Sequence, residues 1–252
     1  VGQAYLTLNG NSGADTITGS EFADLIDGGA GADVMSGGNY GDIYYFDASD
    51  VVSGESIFEA STSTGDDIIS VVTSTDFSTM TAASFNEIEA ITLAASQTAT
   101  FTGAQLTGEA ITLTGVSGFT ETLTVNISSG ETFISGLTSG LNFDTIYYTG
   151  TSGDEVITSG ALVETITGAG GNDVITGGGG NDTILGGEGN DVLVGGTSKD
   201  VINGGDGINR CTVEKIDAVA KGTCDTNGPR LTKISLITKS VDTSQGPAEV
   251  KV

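Results

Sequence analysis

The sequence predicts an all-β fold, a solenoid of short strands wound in stacked coils, and three observations carry that reading. A nine-residue rule generates two blocks of the chain, strand- and corner-forming residues dominate its composition, and basic residues are missing from most of its length. Residues Gly168 to Asn203 set the rule out four times in succession, as GAGGNDVIT, GGGGNDTIL, GGEGNDVLV and GGTSKDVIN. Each unit opens on glycine, carries an acid at its sixth position and an aliphatic at its eighth.

The 252 residues suit one large domain or two small ones. With 40 glycines, two prolines and neither Trp nor His, the chain resembles neither an ordinary enzyme nor collagen. Thr, Val and Ile suit strands, and Gly suits tight corners. All eight Lys and Arg lie from Lys199 onward, so the 26 acids of residues 1–198 meet no basic side chain in their own segment. If that segment is compact, bound cations or a partner must supply the missing charge. Nucleic acid is excluded as partner because its phosphates need basic contacts. The glycines do not make a phosphate cradle, since no Lys follows them, and the absence of His excludes a nucleophilic triad of the usual form. No run approaches the ~20 apolar residues of a transmembrane segment. No basic stretch precedes an apolar one at the start, and Val1 suggests a processed chain or a piece of a longer one.

Taken in order, residues 1–9 read as a first strand around Tyr5, Leu6 and Leu8. From Gly10 the units GNSGADTIT, GSEFADLID, GGAGADVMS and GGNYGDIYY place Asp15, Asp24, Asp33 and Asp42 at the sixth position. Residues 1–45 form this first block. Residues 46–149 keep the grammar without the metre: an acid opens alternating segments at Asp67, Glu89, Glu109, Glu121, Glu131 and Asp144, which predicts a solenoid with longer corners. Thr75 to Asn86 is the expected excursion, with one short helix.

The metre returns over residues 150–212, with Glu155, Glu164, Asp173, Asp182, Asp191, Asp200 and Asn209 at the sixth positions. Regular units in the middle and degenerate ones at the ends are what a capped array shows. Residues 213–252 read as a cap over the open sheet end, with a mixed-charge stretch, a turn at Asp225 to Pro229 and a strand from Leu231 to Lys239. Cys211 and Cys224 suit a disulfide in an oxidising compartment; two free buried thiols are the other reading.

In one unit the eighth residue points inward, its neighbours outward, and the glycines turn the chain. Two units make a coil, so residues eighteen apart stack at about 4.8 Å. Asp173 then lies above Asp191, Asp182 above Asp200, Asp15 near Asp33 and Asp24 near Asp42. Two carboxylates about 5 Å apart repel by about 3 kcal/mol at an effective dielectric of about 20. A divalent cation between them turns that cost into a bond. Calcium suits such a site because it takes hard oxygens in flexible geometry and glycine corners offer carbonyls. Magnesium prefers a tight octahedron, and zinc favours His or Cys. Solvated turn acids are the bland alternative.

These units resemble the RTX, or hemolysin-type, calcium-binding repeats, with consensus GGxGxDxUx. The resemblance implies a right-handed parallel β-roll with several calcium ions in its turns, and export by type I secretion through an uncleaved C-terminal signal. Transferred by position, it makes Asp15, Asp24, Asp33, Asp42, Asp173, Asp182, Asp191 and Asp200 side-chain ligands. The carbonyls of Gly29, Gly31, Gly178, Gly180, Gly187 and Gly189 become main-chain ligands. Phe22, Tyr40 and Ser198 replace a fourth-position glycine, and Glu155, Glu164 and Asn209 replace Asp, so weak or absent sites are expected there. The centre is similar in composition to the solenoid segments of large RTX surface proteins and is expected to be free of metal.

Paired acids such as Glu87 with Glu89, or Asp66 with Asp67, read as strand openers on a solvated face in preference to catalytic carboxylates. Tyr44, Tyr45, Phe46, Tyr147 and Tyr148 lie where each block meets the centre. They suit core packing at a change of cross-section, with a platform for cell-surface glycan as the second reading. The expected function is that of an extracellular structural protein and not an enzyme: a surface-layer, matrix or adhesin component that folds and self-associates into a homo-oligomer or polymer on binding calcium. The alternative is the C-terminal export and folding module of a secreted enzyme or toxin.

Overall fold

The computed structural model describes residues 5–58, 65–213, 218–219 and 224. It is a parallel β-solenoid built from four sheets, in which every strand pairing is parallel. One sheet stacks Thr7–Asn9, Leu25–Asp27, Ile43–Phe46, Ile68–Val71, Ala90–Leu93, Thr112–Thr114 and Thr138–Ser139, and so runs from the first regular block into the centre. A three-stranded sheet of Thr16–Thr18, Val34–Ser36 and Ser56–Ile57 supplies the alternate strands of the first coils. Further on, an eight-stranded sheet runs from Thr75–Asp76 to Ala218–Val219. A five-stranded sheet runs from Thr132–Ile134 to Arg210–Thr212.

Coil length follows the sequence metre. Leu25 pairs with Thr7 and Ile43, eighteen residues to either side. Ile43 then pairs with Ile68, Ile68 with Ala90, and Thr112 with Thr138, so the central coils are longer and unequal in length. From Ile146 paired with Glu164 the eighteen-residue coil returns.

Alternation along each strand builds the core. The eighth-position residues Ile26, Met35, Tyr44, Ile157, Ile166, Ile175, Ile184, Leu193 and Ile202 are all fully buried. In the centre the core widens and is filled by aromatics. Phe77 stacks on Phe101 at 4.7 Å between centroids and meets Phe46 edge-on at 5.1 Å, while Phe85 meets Phe101 edge-on at 5.3 Å. Tyr44, Phe46 and Tyr148 are buried, as core packing at the block boundaries requires, and this removes them from any glycan platform; Tyr147 is exposed.

The excursion at Thr75 to Asn86 contains a strand, Thr75–Asp76, and a 3₁₀ turn, Ala82–Phe85. A one-turn helix, Gly103–Leu106, has no counterpart in the sequence reading. It is too short to show a period, and Gln105 secures it: the amide Oε1 accepts from the Thr102 N–H, and Nε2 donates to the carbonyls of Phe77 and Met80 at 2.8 Å. Cys211 and Cys224 form a disulfide, which displaces the free-thiol reading. The Asp225 to Pro229 turn, the Leu231 to Lys239 strand and most of the 213–252 cap lie outside the described residues, as do residues 1–4 of the first strand.

Candidate metal sites

Position six lies two residues before position eight, so a strand that sends the aliphatic inward sends the acid inward as well. Asp24, Asp33, Asp42, Asp173, Asp182, Asp191 and Asp200 are accordingly 0–1% exposed, which removes the reading of solvated turn acids. Each column is stitched by carboxylate-to-amide bonds between residues eighteen apart. The Asp15 N–H donates to Asp33 Oδ1 at 2.7 Å, Asp24 to Asp42 at 2.7 Å, Asp173 to Asp191 at 2.9 Å and Asp182 to Asp200 at 3.0 Å. The stacks expected from the metre are these four pairs.

The other carboxylate oxygen faces the corner. Oδ2 of Asp15, Asp33, Asp173, Asp182 and Asp191 is buried without a hydrogen-bond partner. It lies over the glycine that opens its own unit: a Cβ on Gly28 would sit 2.7 Å from Asp33 Oδ2, and one on Gly177 2.7 Å from Asp182 Oδ2. That same Gly177 Cβ would sit 2.5 Å from the carbonyl oxygen of Gly195, which opens the unit one coil on. Gly168 and Gly186 repeat the arrangement with the carbonyls of Gly186 and Gly204. Only glycine leaves this space open, and a carboxylate oxygen and a carbonyl oxygen, both acceptors, converge on it. The donor set fits a hard cation held by one or two carboxylates and main-chain carbonyls. Among the described residues no three acidic or thiol side chains gather as a chelate, so carbonyls or water would have to complete each site.

The first-position carbonyls are donors that the sequence reading did not name. Gly29, Gly31, Gly178, Gly180, Gly187 and Gly189 all have positive φ and continue the corner stack: the oxygens of Gly178, Gly187 and Gly189 face Gly196, Gly205 and Gly207 of the next coil. Asp24 differs from the other predicted ligands in that its Oδ2 accepts from the Ser20 N–H at 2.6 Å. Glu155 likewise spends its carboxylate on its own turn, accepting from the Thr151 N–H at 3.1 Å and hydroxyl at 2.6 Å.

Uncompensated burial shows in the acidities. Burial, with the charges of Glu155 and Asp191 added, pushes Asp173 up to about 6. Burial also raises Asp182 and Asp191. Glu164, buried against Asp182, is pushed up to about 9. A cation held at these corners would supply the positive charge that the carboxylates otherwise lack.

The columns extend beyond the metre. Asp33 N–H donates to Glu55 Oε2 at 2.9 Å, Asp42 N–H to Asp67 Oδ1 at 2.7 Å, and Asp67 N–H to Glu89 Oε2 at 2.7 Å. Asp67 is fully buried and Glu55 2% exposed, so Asp67 does not open a strand on a solvated face; Glu89 is half-buried and Glu87 exposed. The missed signal is a triplet of acid, any residue and large aliphatic, as in Glu55-Ser-Ile57 and Asp67-Ile-Ile69, which survives where the nine-residue spacing does not.

The family model of the RTX calcium-binding nonapeptide repeat matches the chain four times, over residues 9–42, 149–184, 159–193 and 176–210. The two regular blocks are therefore RTX β-rolls. Their repeats bind calcium, in several copies, and the matched family is a structural repeat and not a catalytic domain. No curated protein and no solved structure matches the chain. RTX repeats are typical of secreted extracellular proteins, and among the described residues no helix is long and apolar enough to cross a membrane.

Proposed function

We propose that the chain is an extracellular, calcium-dependent structural protein, a surface-layer, matrix or adhesin component that leaves the cell by type I secretion and self-associates once folded. One observation supports it above all: coil after coil buries a carboxylate oxygen against a carbonyl, in a segment of 198 residues without Lys or Arg. Where calcium is scarce, that charge keeps the chain extended; outside, the ion makes folding favourable. Asp15, Asp24, Asp33, Asp42, Asp173, Asp182, Asp191 and Asp200 are the side-chain ligands in this reading. Residues 1–45 and 150–212 are the ion-loaded rolls, 46–149 a wider spacer and 213–252 the cap.

Electron microscopy and light scattering in millimolar calcium and in excess EGTA test the assembly. Ordered sheets or filaments that dissolve in EGTA are expected. Dispersed monomers in saturating calcium would remove self-association and favour the folding module of a secreted enzyme or toxin.

A further inference from the structure

The cradle of the regular blocks recurs at a corner where no nine-residue unit can be read. Residues 115–121 join the strands Thr112–Thr114 and Thr122–Asn126 in the centre of the solenoid. A Cβ on Gly115 would meet the carbonyl oxygen of Asn142 and, at 2.5 Å, Oε2 of Glu121. Asn142 lies in the matching corner one coil on, and the two corners are tied by the Gly115 N–H donating to the Leu141 carbonyl at 2.9 Å. Glu121 is 0% exposed. Its Oε1 accepts from the Ser96 N–H at 3.0 Å, in the corner one coil earlier, while Oε2 is buried without a hydrogen-bond partner.

Each part has its counterpart in the unit of Gly177 and Asp182. A glycine leaves the space, a carbonyl enters it from the next coil, and a buried carboxylate is anchored on the previous coil by one oxygen and aims the other inward. What differs is spacing. Six residues separate Gly115 from Glu121, against five from Gly177 to Asp182. Asn142 stands half as far again from Gly115 along the chain as Gly195 does from Gly177. The longer corner is matched by the longer side chain of Glu. No Lys or Arg precedes Lys199 to partner this carboxylate from its own segment.

The geometry points to a calcium site in the centre of the solenoid, with the Glu121 carboxylate and the Asn142 carbonyl as ligands and corner carbonyls or water completing the shell. The centre was expected to be free of metal; here it carries an ion that links three successive corners. This rests on reading the Asp columns as the calcium sites of the blocks.

Crystals of the whole chain grown in calcium and exchanged into strontium test it by anomalous diffraction. Peaks are expected beside the Asp columns and also between Gly115 and Asn142. In parallel, equilibrium dialysis with ⁴⁵Ca should show Glu121→Gln binding one ion fewer per chain than the wild type, with the calcium-induced circular dichroism of the blocks retained. Peaks at the columns with none at Gly115, or an unchanged ion count in Glu121→Gln, overturn this site and leave the columns standing. No peak anywhere overturns both.

Discussion

Residues 150–212 and residues 46–149 wind the same parallel coil, but they fill it differently. In the second block a coil takes eighteen residues, its core is one aliphatic per unit, such as Ile175, Ile184, Leu193 and Ile202, and its corners bury acids on both sides. The centre winds longer coils of unequal length, adds Phe77, Phe85, Phe101, Leu106 and Phe133 to the stacked aliphatics, and buries acids such as Glu55, Asp67 and Glu121 while leaving Asp144 exposed. A narrow coil has little apolar volume to set against the entropy of ordering its residues. Ions held at the block corners would then add there the stabilisation that aromatic packing gives the centre.

Removing calcium should separate the two regions most. In excess EGTA, hydrogen exchange is expected to strip protection from the strands Val174–Gly179 to Val201–Asp206, while Thr98–Thr102 and Thr122–Asn126 retain most of theirs. Simultaneous loss in both regions would mean that the ions hold the whole solenoid and that the contrast is false.

Truncating the centre gives the next largest effect. Phe101→Ala should cost about 3–5 kcal/mol in denaturant unfolding of the central transition, with calcium or without. Asp182→Asn should act on the block alone, and with opposite signs in the two conditions. Without calcium it removes a buried charge, and Asn209 shows that an amide keeps the column bond, since its Oδ1 accepts from the Asp191 N–H at 2.8 Å. The metal-free block is then expected to gain β structure by circular dichroism. With calcium it removes a proposed ligand, so the calcium midpoint of folding is expected to rise, a loss of about 1.4 kcal/mol weakening that one site tenfold. A variant weakened equally in both conditions would make Asp182 a packing residue.

The same contrast governs how far the sequence could be read. Ile175, Ile184, Leu193 and Ile202 and the Asp pairs follow from nine and twice nine, because in the blocks corner length is constant and position alone determines direction. Burial of the acids was also implicit, since residues six and eight of a strand share a face, although acids in glycine-rich turns suggest solvent. In the centre, Glu55, Asp67 and Glu121 keep the acid two places before a buried apolar residue, but corners of unequal length hide which coils meet. Thr102 and Gln105 carry the spacing of a capping box, but nothing in the sequence shows that the Gln105 amide also donates to the carbonyls of Phe77 and Met80, 28 and 25 residues away.

Acid should partly replace the ion in the blocks and not in the aromatic centre. Asp173 at about 6 and Glu164 at about 9 are raised above their unfolded values by burial. Their contribution to metal-free stability is therefore full below about pH 4 and is lost as pH rises, through about 6 for Asp173 and about 9 for Glu164. Calcium-stripped protein should gain block β structure between pH 8 and pH 5, and calcium should bind more weakly over the same range as protons compete. Circular dichroism and a calcium titration at the two pH values measure both; a metal-free block that loses structure on acidification contradicts the assignment.

The smallest effect concerns the corners alone. Ser198 holds φ at +88° where the equivalent Gly180, Gly189 and Gly207 stand at +109°, +127° and +102°, so a residue with a Cβ occupies a conformation that costs it roughly 1–2 kcal/mol. Ser198→Gly relieves that strain and gives back part of it through the freer unfolded chain, about 0.4–1 kcal/mol. The expected net gain is between about zero and about 1.6 kcal/mol in the block transition, with no change in the centre. Gly180→Ala should be costly, because its Cβ would run into the Leu162 carbonyl of the preceding coil. If Ser198→Gly instead destabilises the block, the serine hydroxyl contributes more than the strain costs, and the corners are not governed by glycine geometry alone.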